Sequence, residues 1–472
     1  MLCSTNPPAD TDPVLNNTLL NIANNSEPRL HKTVRDYFYH SLQALQALLN
    51  KSASRIRGAC PALACLVAFT LISGCSEPAL TDQEKRIFAS FSLSRLPPQY
   101  TDSNRMALNA AAAKMGQQLF NDTRLSSNGK VACTTCHDPQ QHFTDGLEKA
   151  QGLGQLNRNT PSLTGAGWNQ WQYWDGRRDS LWSQALTPLE AKDEMGTNRV
   201  AVTRLILDDD SYLQQYSALY GAINLSPAQL ATDASPIGSA EEKRAWFELD
   251  LNTQEQINTV FANVGKSIAA FEHTLPPVTT RFDQFVESVV LGKPDLKLLT
   301  KDELRGARLF INAEKTQCLE CHNGPLFSNG DFHNIGTGRF SASKPGDQLD
   351  FGRVFGVQAA LINEFNCQGR YSDAGNDSCR HLRFLNRNLI GHTQGAFRTP
   401  TLRNAPNTAP FFHDGRLSSL QQVVQHYASQ PVATQSGQNE LRPFPLTQKE
   451  ISELTAFLQS LAAEVTSERT GN

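Results

Sequence analysis

Two copies of one pentapeptide constrain this chain more than any other sequence feature. They are Cys133-Thr-Thr-Cys136-His137 and Cys318-Leu-Glu-Cys321-His322. Two cysteines separated by two residues, with a histidine directly behind, form the covalent attachment signature of a c-type haem. The thiols bond to the vinyl groups of the porphyrin, and the imidazole becomes an axial ligand of the iron. A single copy would compete with half of a zinc site. Two copies without a further cysteine pair at zinc spacing favour two covalent haems, with His137 and His322 as iron ligands.

The overall composition and the other cysteines indicate the number of domains, the class of partner and the redox compartment. The length of 472 residues suggests about two to three domains. A net charge of −3 and a charged fraction of 19% do not suggest a nucleic-acid partner. Cys367 and Cys379 lie together in a polar, Gly-rich insert. We expect them to form a disulfide, which, like covalent haem attachment, suits an oxidising compartment.

Residues 51–75 have the organisation of an export signal. A basic segment (51–57) precedes an apolar run (59–72), which ends in Ser-Gly-Cys75. The run is too short to span a bilayer comfortably, and its ending resembles a bacterial lipoprotein signal. We therefore expect a periplasmic protein anchored through a lipidated Cys75, with ordinary cleavage nearby as the alternative. We expect residues 1–50 to be disordered or foreign to the native chain, with translation beginning near Leu49.

The segment after Cys75 carries mostly helical signals. Three capping-box pairs mark helix starts: Thr81 with Glu84, Thr300 with Glu303, and Thr447 with Glu450. The last pair opens a segment with one apolar face, which predicts a surface helix. Strand-like alternation is weak, and the Gly-, Asp- and Asn-rich stretch 336–394 predicts a long loop. These patterns predict a mainly α fold with long loops and little β structure.

An internal repeat divides the chain into two related halves. Gly-x-x-Leu-Phe precedes each haem motif, at 116–120 and at 306–310, and Thr-Pro-x-Leu and Asp-Gly-Arg follow each motif at matching separations. We therefore expect two c-type cytochrome domains with a haem each, at 76–285 and 286–472.

The repeat also aligns the residues that would face each iron. Continued without gaps, it places Pro188 opposite Tyr427 and Gln184 opposite Val423. If this segment faces the iron, Tyr427 is available as the sixth ligand of the second haem, whereas a proline cannot bind iron. The first haem would then have an open face beside Gln184 and Glu194. The alternatives are a packed Tyr427 and a solvated Glu194.

Several longer motifs resemble the family of bacterial dihaem cytochrome c peroxidases and MauG. The resemblance covers roughly residues 100–465 and is carried by CTTCH, NTPSL, WDGR, EMG, QCLECHNGPLFSNG, FRTPTLRN, TAPFFHDGR and VVQHY. It implies an N-terminal peroxidatic domain and a C-terminal electron-transfer domain. It also implies proximal iron ligation by His137 and His322.

The resemblance implies roles for further residues. Glu194 and Gln184 would lie on the distal side of the first haem, where Glu194 would move a proton between the oxygens of peroxide. Trp174 would relay electrons between the haems. Apart from the resemblance, Arg177, Arg403 and Arg416 are candidates for pairing with haem propionates, although arginines are commoner on the surface.

The second half and the domain boundary complete the implied site. Many peroxidases of the family have a methionine as the sixth ligand of the second haem. This chain has Tyr427 at that position, and MauG-like members also have a tyrosine there. A calcium ion would be held by Asn159 and by the backbone around Thr408 and Pro410. Many members carry a histidine that blocks the first iron until the second haem is reduced. The stretch 144–157 contains no histidine, which puts such a switch in doubt.

Three functions fit these observations. A peroxidase would reduce hydrogen peroxide to water with electrons from a small periplasmic cytochrome c or cupredoxin. A MauG-like enzyme would oxidatively modify a partner protein. A non-enzymatic electron carrier fits least well, because carriers usually keep six iron ligands. A homodimer is compatible with the sequence, and we expect the peroxidase.

Overall fold

The structure is a computed structural model that describes residues 77–463, apart from 231–232, 339–348, 376, 387, 389–392, 430–436 and 443. In this part of the chain the α-helices are α1 (Asp82–Ser90), α2 (Ala110–Asn121), α3 (Cys133–Cys136), α4 (Leu181–Glu190), α5 (Arg199–Asp208), α6 (Asp210–Tyr220), α7 (Ala240–Glu248), α8 (Leu251–Glu272), α9 (Arg281–Val290), α10 (Lys301–Ile311), α11 (Cys318–Cys321), α12 (Arg353–Ile362), α13 (Arg380–Arg383), α14 (Leu420–Ser429) and α15 (Gln448–Gln459). The strands are β1 (Phe332–His333) and β2 (Phe397–Arg398). The expected extension at 1–50 and the expected signal at 51–75 lie outside the described residues.

Three of the described helices begin at the capping boxes that the sequence predicts. All three predicted capping boxes are confirmed, since each threonine hydroxyl accepts from the glutamate N–H and each glutamate carboxylate accepts from the threonine N–H. The predicted surface helix is α15, which buries Ile451, Leu454, Phe457 and Leu458 on one face. None of the helices described here is long and apolar enough to cross a membrane.

The prediction of a mainly helical fold with little sheet is confirmed. Strands β1 and β2 pair antiparallel, with Phe332 opposite Arg398. The expectation that 336–394 is entirely loop is wrong, because α12 and α13 lie within it. Gly356 lets α12 approach the first half closely: an added Cβ there would lie 1.9 Å from the carbonyl oxygen of Asp175. The predicted Cys367–Cys379 disulfide is present and lies within this insert.

Two equivalent helix crossings form the centres of two hydrophobic clusters. In the first cluster α2 packs against α8, and in the second α10 packs against α15. A Cβ added at Gly116 would lie 1.9 Å from the carbonyl oxygen of Ser267, and one added at Gly306 would lie 1.9 Å from that of Glu453. The repeated Gly-x-x-Leu-Phe motif thus has one physical cause in both halves, which is the close approach of two helices.

Hydrogen bonds around the haem motifs repeat as well. The hydroxyl of Ser162 donates to the carbonyl of His142 at 2.7 Å, and the hydroxyl of Thr401 donates to the carbonyl of Leu326 at 2.6 Å. Both pairs join the loop after a haem motif to the following Thr-Pro segment. The sequence repeat therefore corresponds to a repeated local structure.

Each cluster also receives residues from a distant part of the chain. Leu80, Phe88 and Phe91 pack in the second cluster, although they precede the first haem motif. Phe365 and Tyr371, from the insert, pack in the first. The division at residue 285 stays a prediction.

Candidate active site

Each haem motif forms one helical turn followed by its histidine. The backbone N–H of His137 donates to the carbonyl of Cys133, and that of His322 donates to the carbonyl of Cys318, both at 2.9 Å. Side chains three residues apart share a helix face. The turn therefore presents both of its thiols to the cavity beside it.

The two histidines are held in the same tautomer by backbone carbonyls. Nδ1 of His137 lies 3.1 Å from the carbonyl oxygen of Phe143, and Nδ1 of His322 lies 2.9 Å from that of Phe327. A carbonyl oxygen only accepts, so each ring carries its proton on Nδ1 and keeps the Nε2 lone pair for a metal. Burial lowers the pKa of His137 and lowers the pKa of His322 to about 4, so both rings are neutral.

Burial favours the neutral form of three of the four motif thiols. Burial raises the pKa of Cys136 and of Cys318 to about 11, and raises that of Cys133 well above its usual range. Zinc binds thiolates, whereas a thioether sulfur carries no charge. The environment of these cysteines therefore fits thioether bonds to a haem better than a zinc site.

The first cavity has a volume of about 390 Å³ and gathers the residues predicted for the first haem. Cys133, Cys136 and His137 line it together with Gln184, Pro188, Glu194 and Trp174. Gln184 and Pro188 come from α4, and Glu194 from the loop that follows this helix. Burial raises the pKa of the Glu194 carboxyl, and the positive charge of Arg177 partly opposes this rise.

Tyr173 is a cavity residue that the sequence did not single out. Its hydroxyl lies 3.5 Å from Nε2 of Gln184, and the guanidinium of Arg177 stacks 3.4 Å from its ring centre. Burial raises its pKa to about 12, so the phenol is protonated at neutral pH. The backbone φ of Tyr173 is 68°. Phe412, the equivalent residue in the second half, has a similar φ of 71°. A search for polar residues at equivalent repeat positions would have found Tyr173.

The second cavity has a volume of about 450 Å³. Cys318, Cys321, His322 and Tyr427 line it. Tyr427 comes from α14, as Pro188 comes from α4 in the first half, so the repeat places both on the corresponding walls. Burial raises the pKa of the Tyr427 phenol well above its usual range. Coordination of iron by Tyr427 stays a prediction.

One wall is shared by the two cavities. Trp174, Asn159 and Arg398 line both of them. The indole N–H of Trp174 donates to the carbonyl of Asn159 at 2.9 Å, which fixes the ring on this wall. Thr408 and Pro410 line the second cavity, as Asn159 does. All three predicted calcium-binding residues therefore line the second cavity. Calcium binding itself stays a prediction.

The three arginines predicted for the propionates all have carboxylate partners. Arg177 pairs with Asp175 at 3.3 Å, Arg403 with Asp283 at 2.8 Å, and Arg416 with Asp414 at 2.6 Å. Arg177 and Arg403 line a cavity, and so do two further buried ionisable groups that the sequence did not single out. They are Arg398, on the shared wall, and Glu272, at the end of α8 in the first cavity.

Comparison with known proteins agrees with this arrangement. A family model described as di-haem cytochrome c peroxidase matches residues 110–289. The methylamine utilization protein MauG of Methylorubrum extorquens is 28% identical over 399 residues, which cover 84% of this chain and 91% of that protein. The cytochrome c551 peroxidase of Nitrosomonas europaea is 26% identical over 360 residues, which cover 75% of this chain and 81% of that protein.

A solved structure shares the fold. The diheme peroxidase BthA from Burkholderia thailandensis aligns with a TM-score of 0.54 at 20% identity, covering 75% of this chain and 86% of that one.

Proposed function

This chain is a member of the dihaem cytochrome c peroxidase and MauG family, and from that premise we propose that it reduces hydrogen peroxide to water with electrons from a small redox protein. Membership supports an oxidoreductase with covalent haem c. Relatives at this level of identity include both a MauG and a peroxidase. The choice of peroxide reduction therefore rests on the first cavity, where a partly buried Glu194 lines the same walls as Cys133, Cys136 and His137.

The residues of both cavities fit a covalent haem c. Each cavity presents two thiols and a neutral imidazole whose Nδ1–H is held by a carbonyl. Such a haem supplies an iron that binds peroxide or exchanges electrons. The side chains around the cavities would position peroxide and move protons and electrons.

Glu194 is proposed to move the proton. Reduction of hydrogen peroxide to two waters consumes two electrons and two protons. The Glu194 carboxylate takes the proton from one peroxide oxygen and returns it to the other, which leaves as water. Its raised pKa favours the first of these two transfers, because the carboxylate of a weaker acid accepts a proton more readily. Gln184 and the phenol of Tyr173, which face the same cavity, are donors that orient peroxide.

Trp174 is proposed to carry electrons between the cavities. Its ring lines both of them and is held by Asn159. Electrons would arrive at the second haem from a small cytochrome c or cupredoxin and pass through this shared wall.

The partly buried carboxyl group of Glu194 favours an enzyme over a simple electron carrier, because a carrier has no use for a proton-transfer group beside its first haem.

The test is Glu194→Gln, with Asp193→Asn as the matched control. Asp193 is the adjacent carboxylate, its side chain is 49% exposed, and it pairs with Lys192 at the surface. We expect E194Q to bind both haems and to lose about a hundredfold or more in peroxide turnover, the usual scale of general acid–base help. D193N should retain wild-type turnover. Equal rates for all three proteins would show that Glu194 takes no part.

A second candidate function is the oxidation of a partner protein. Tyr427 favours it, because an anionic oxygen ligand would stabilise the oxidised states of the second haem. Such a haem accepts electrons poorly from a high-potential donor. Steady-state turnover with reduced cytochrome c or cupredoxin discriminates between the functions, since a protein-modifying enzyme would show little.

Two further proposals concern the setting of the enzyme. We propose that calcium binds at Asn159, Thr408 and Pro410, so that removing it with a chelator lowers the melting temperature and adding it back restores that temperature.

We also propose export to the periplasm and attachment to the membrane through lipidated Cys75. Membrane fractionation of a Cys75→Ser variant tests the second proposal, since the variant should appear in the soluble fraction.

A further inference from the structure

Arg398 is a buried cation on the wall shared by the two cavities. It lies in β2 and is 8% exposed. Its backbone N–H donates to the carbonyl of Trp174 at 2.8 Å, and Nη1 donates to the side-chain oxygen of Asn169 at 3.1 Å. Nε finds no hydrogen-bond partner among the described residues. The guanidinium is therefore fixed at the cavity wall with hydrogen-bonding capacity left over.

Arg398 differs in this respect from the other arginines that line the cavities. Arg158 pairs with Asp175 and Asp350, and the cavity residues Arg177 and Arg403 each have a carboxylate as well. No carboxylate of the described chain pairs with Arg398. Burial alone lowers its pKa to about 10, which still leaves it positive at neutral pH.

A buried charge without an ionic partner is costly unless a bound group supplies the opposite charge. A carboxylate is the best match, because the guanidinium fork binds both of its oxygens. The repeat adds a second observation. Arg398 precedes Thr-Pro in the second half, and the equivalent residue in the first half is Asn159, which lines the same wall. Only the second half places a cation there.

We propose that Arg398 forms an ion pair with the propionate carboxylate of a haem bound in one of the two cavities. The inference rests on the proposed dihaem function, since propionates are the only carboxylates that a haem brings. A paired cation beside the ring edge favours the ferrous form and raises the potential of that haem. Because Arg398 is hydrogen-bonded to the backbone of Trp174, it would set this potential at the wall through which electrons are proposed to pass.

The test is Arg398→Gln in the holoprotein, with Arg353→Gln as the matched control. Arg353 is also buried, burial also lowers its pKa to about 10, and it packs between Trp171 and Phe332 without lining either cavity. The readouts are the propionate bands in resonance Raman spectra and the midpoint potential of each haem as a function of pH. We expect R398Q to shift the propionate band and lower the potential of one haem, and R353Q to leave the propionate bands unchanged.

The identity of the affected haem shows which propionate Arg398 binds. The first haem, which we expect to have an open face, should be the high-spin one. Changes confined to the high-spin haem therefore indicate the first cavity, and changes confined to the other haem indicate the second. Unchanged bands and potentials in R398Q would overturn the proposal. If R398Q does not accumulate, Arg398→Lys keeps a point charge without the fork, and it should retain the potential while shifting the band. An unaltered band in R398K would overturn the proposal equally. Haem content and peroxide turnover of the wild type report on the proposed function separately.

Discussion

Glu272 ends α8 with its carboxyl group enclosed in the first cavity. The residue is 3% exposed, Oε2 finds no hydrogen-bond partner among the described residues, and burial raises the pKa to about 8. Glutamine has nearly the same size and does not ionise. We expect Glu272→Gln to gain stability relative to the wild type as the pH rises from about 5 to about 8.

The sign and size of this effect follow from proton linkage. The ordinary pKa of the carboxyl is 4.5, and the folded value is about 8. Between these values the folded protein holds a proton that the unfolded chain releases, so the free energy of unfolding falls by about 1.4 kcal/mol per pH unit. From about pH 5 to about pH 8 the wild type therefore loses roughly 4 kcal/mol of stability. The substituted amide costs about 1–3 kcal/mol for its buried N–H groups at every pH, which leaves this slope unaffected.

Denaturant unfolding of both holoproteins at several pH values measures the difference. The control is Glu248→Gln, which removes an exposed carboxylate at the end of α7. A constant difference between E272Q and the wild type from about pH 5 to about pH 8 would refute the reasoning. It would mean that ionised Glu272 is stabilised by a partner in the holoprotein.

Gly116→Ala and Gly306→Ala should each destabilise the protein by about 2 kcal/mol or more, because the new methyl group would meet a backbone carbonyl at a helix crossing. Thermal unfolding checks this, with Gly375→Ala as a control at a site where a Cβ meets nothing within 4 Å; equal melting temperatures for all three would contradict it. Tyr427→Met should raise the midpoint potential of the second haem and leave the high-spin signal of the first intact, since a neutral thioether replaces an anionic oxygen. A redox titration that shows no change would mean that Tyr427 is only packed. The fully oxidised protein should react with peroxide without prior reduction, because the stretch 144–157 contains no histidine; rapid mixing that shows a reaction only after reduction would indicate another blocking residue.

The features that the sequence predicted correctly are mostly contacts between residues that are close together in the chain. A capping box is a contact between residues three apart, so Thr81, Thr300 and Thr447 mark helix starts without knowledge of the fold. The haem motifs are equally local, because one helical turn brings their thiols together. The repeated glycines at 116 and 306 are informative for a different reason, since the same helix crossing is built twice.

Features that depend on distant segments were missed or mistaken. Helix α12 lies among Gly-, Asp- and Asn-rich flanks, and it is held by packing of Gly356 against Asp175, far away in the sequence. The arginines predicted for the propionates have acidic partners, two of which are only two residues away, yet sequence alone does not reveal whether such a pair forms. Arg398 is distinguished only by the absence of such a partner among the described residues, which becomes visible when the surrounding segments are folded.

The two halves keep the same scaffold and differ at the positions proposed to carry chemistry. Both retain the glycine crossing, the helical turn of the motif and the carbonyl that holds the histidine. The pairs that differ are Tyr173 and Phe412, Gln184 and Val423, Pro188 and Tyr427, and Asn159 and Arg398. In the first half these changes leave polar side chains and a proline around the cavity. In the second half they leave apolar side chains, a phenol and a cation. A duplicated domain whose first copy binds a small polar molecule and whose second copy only exchanges electrons would diverge at these positions and preserve the rest.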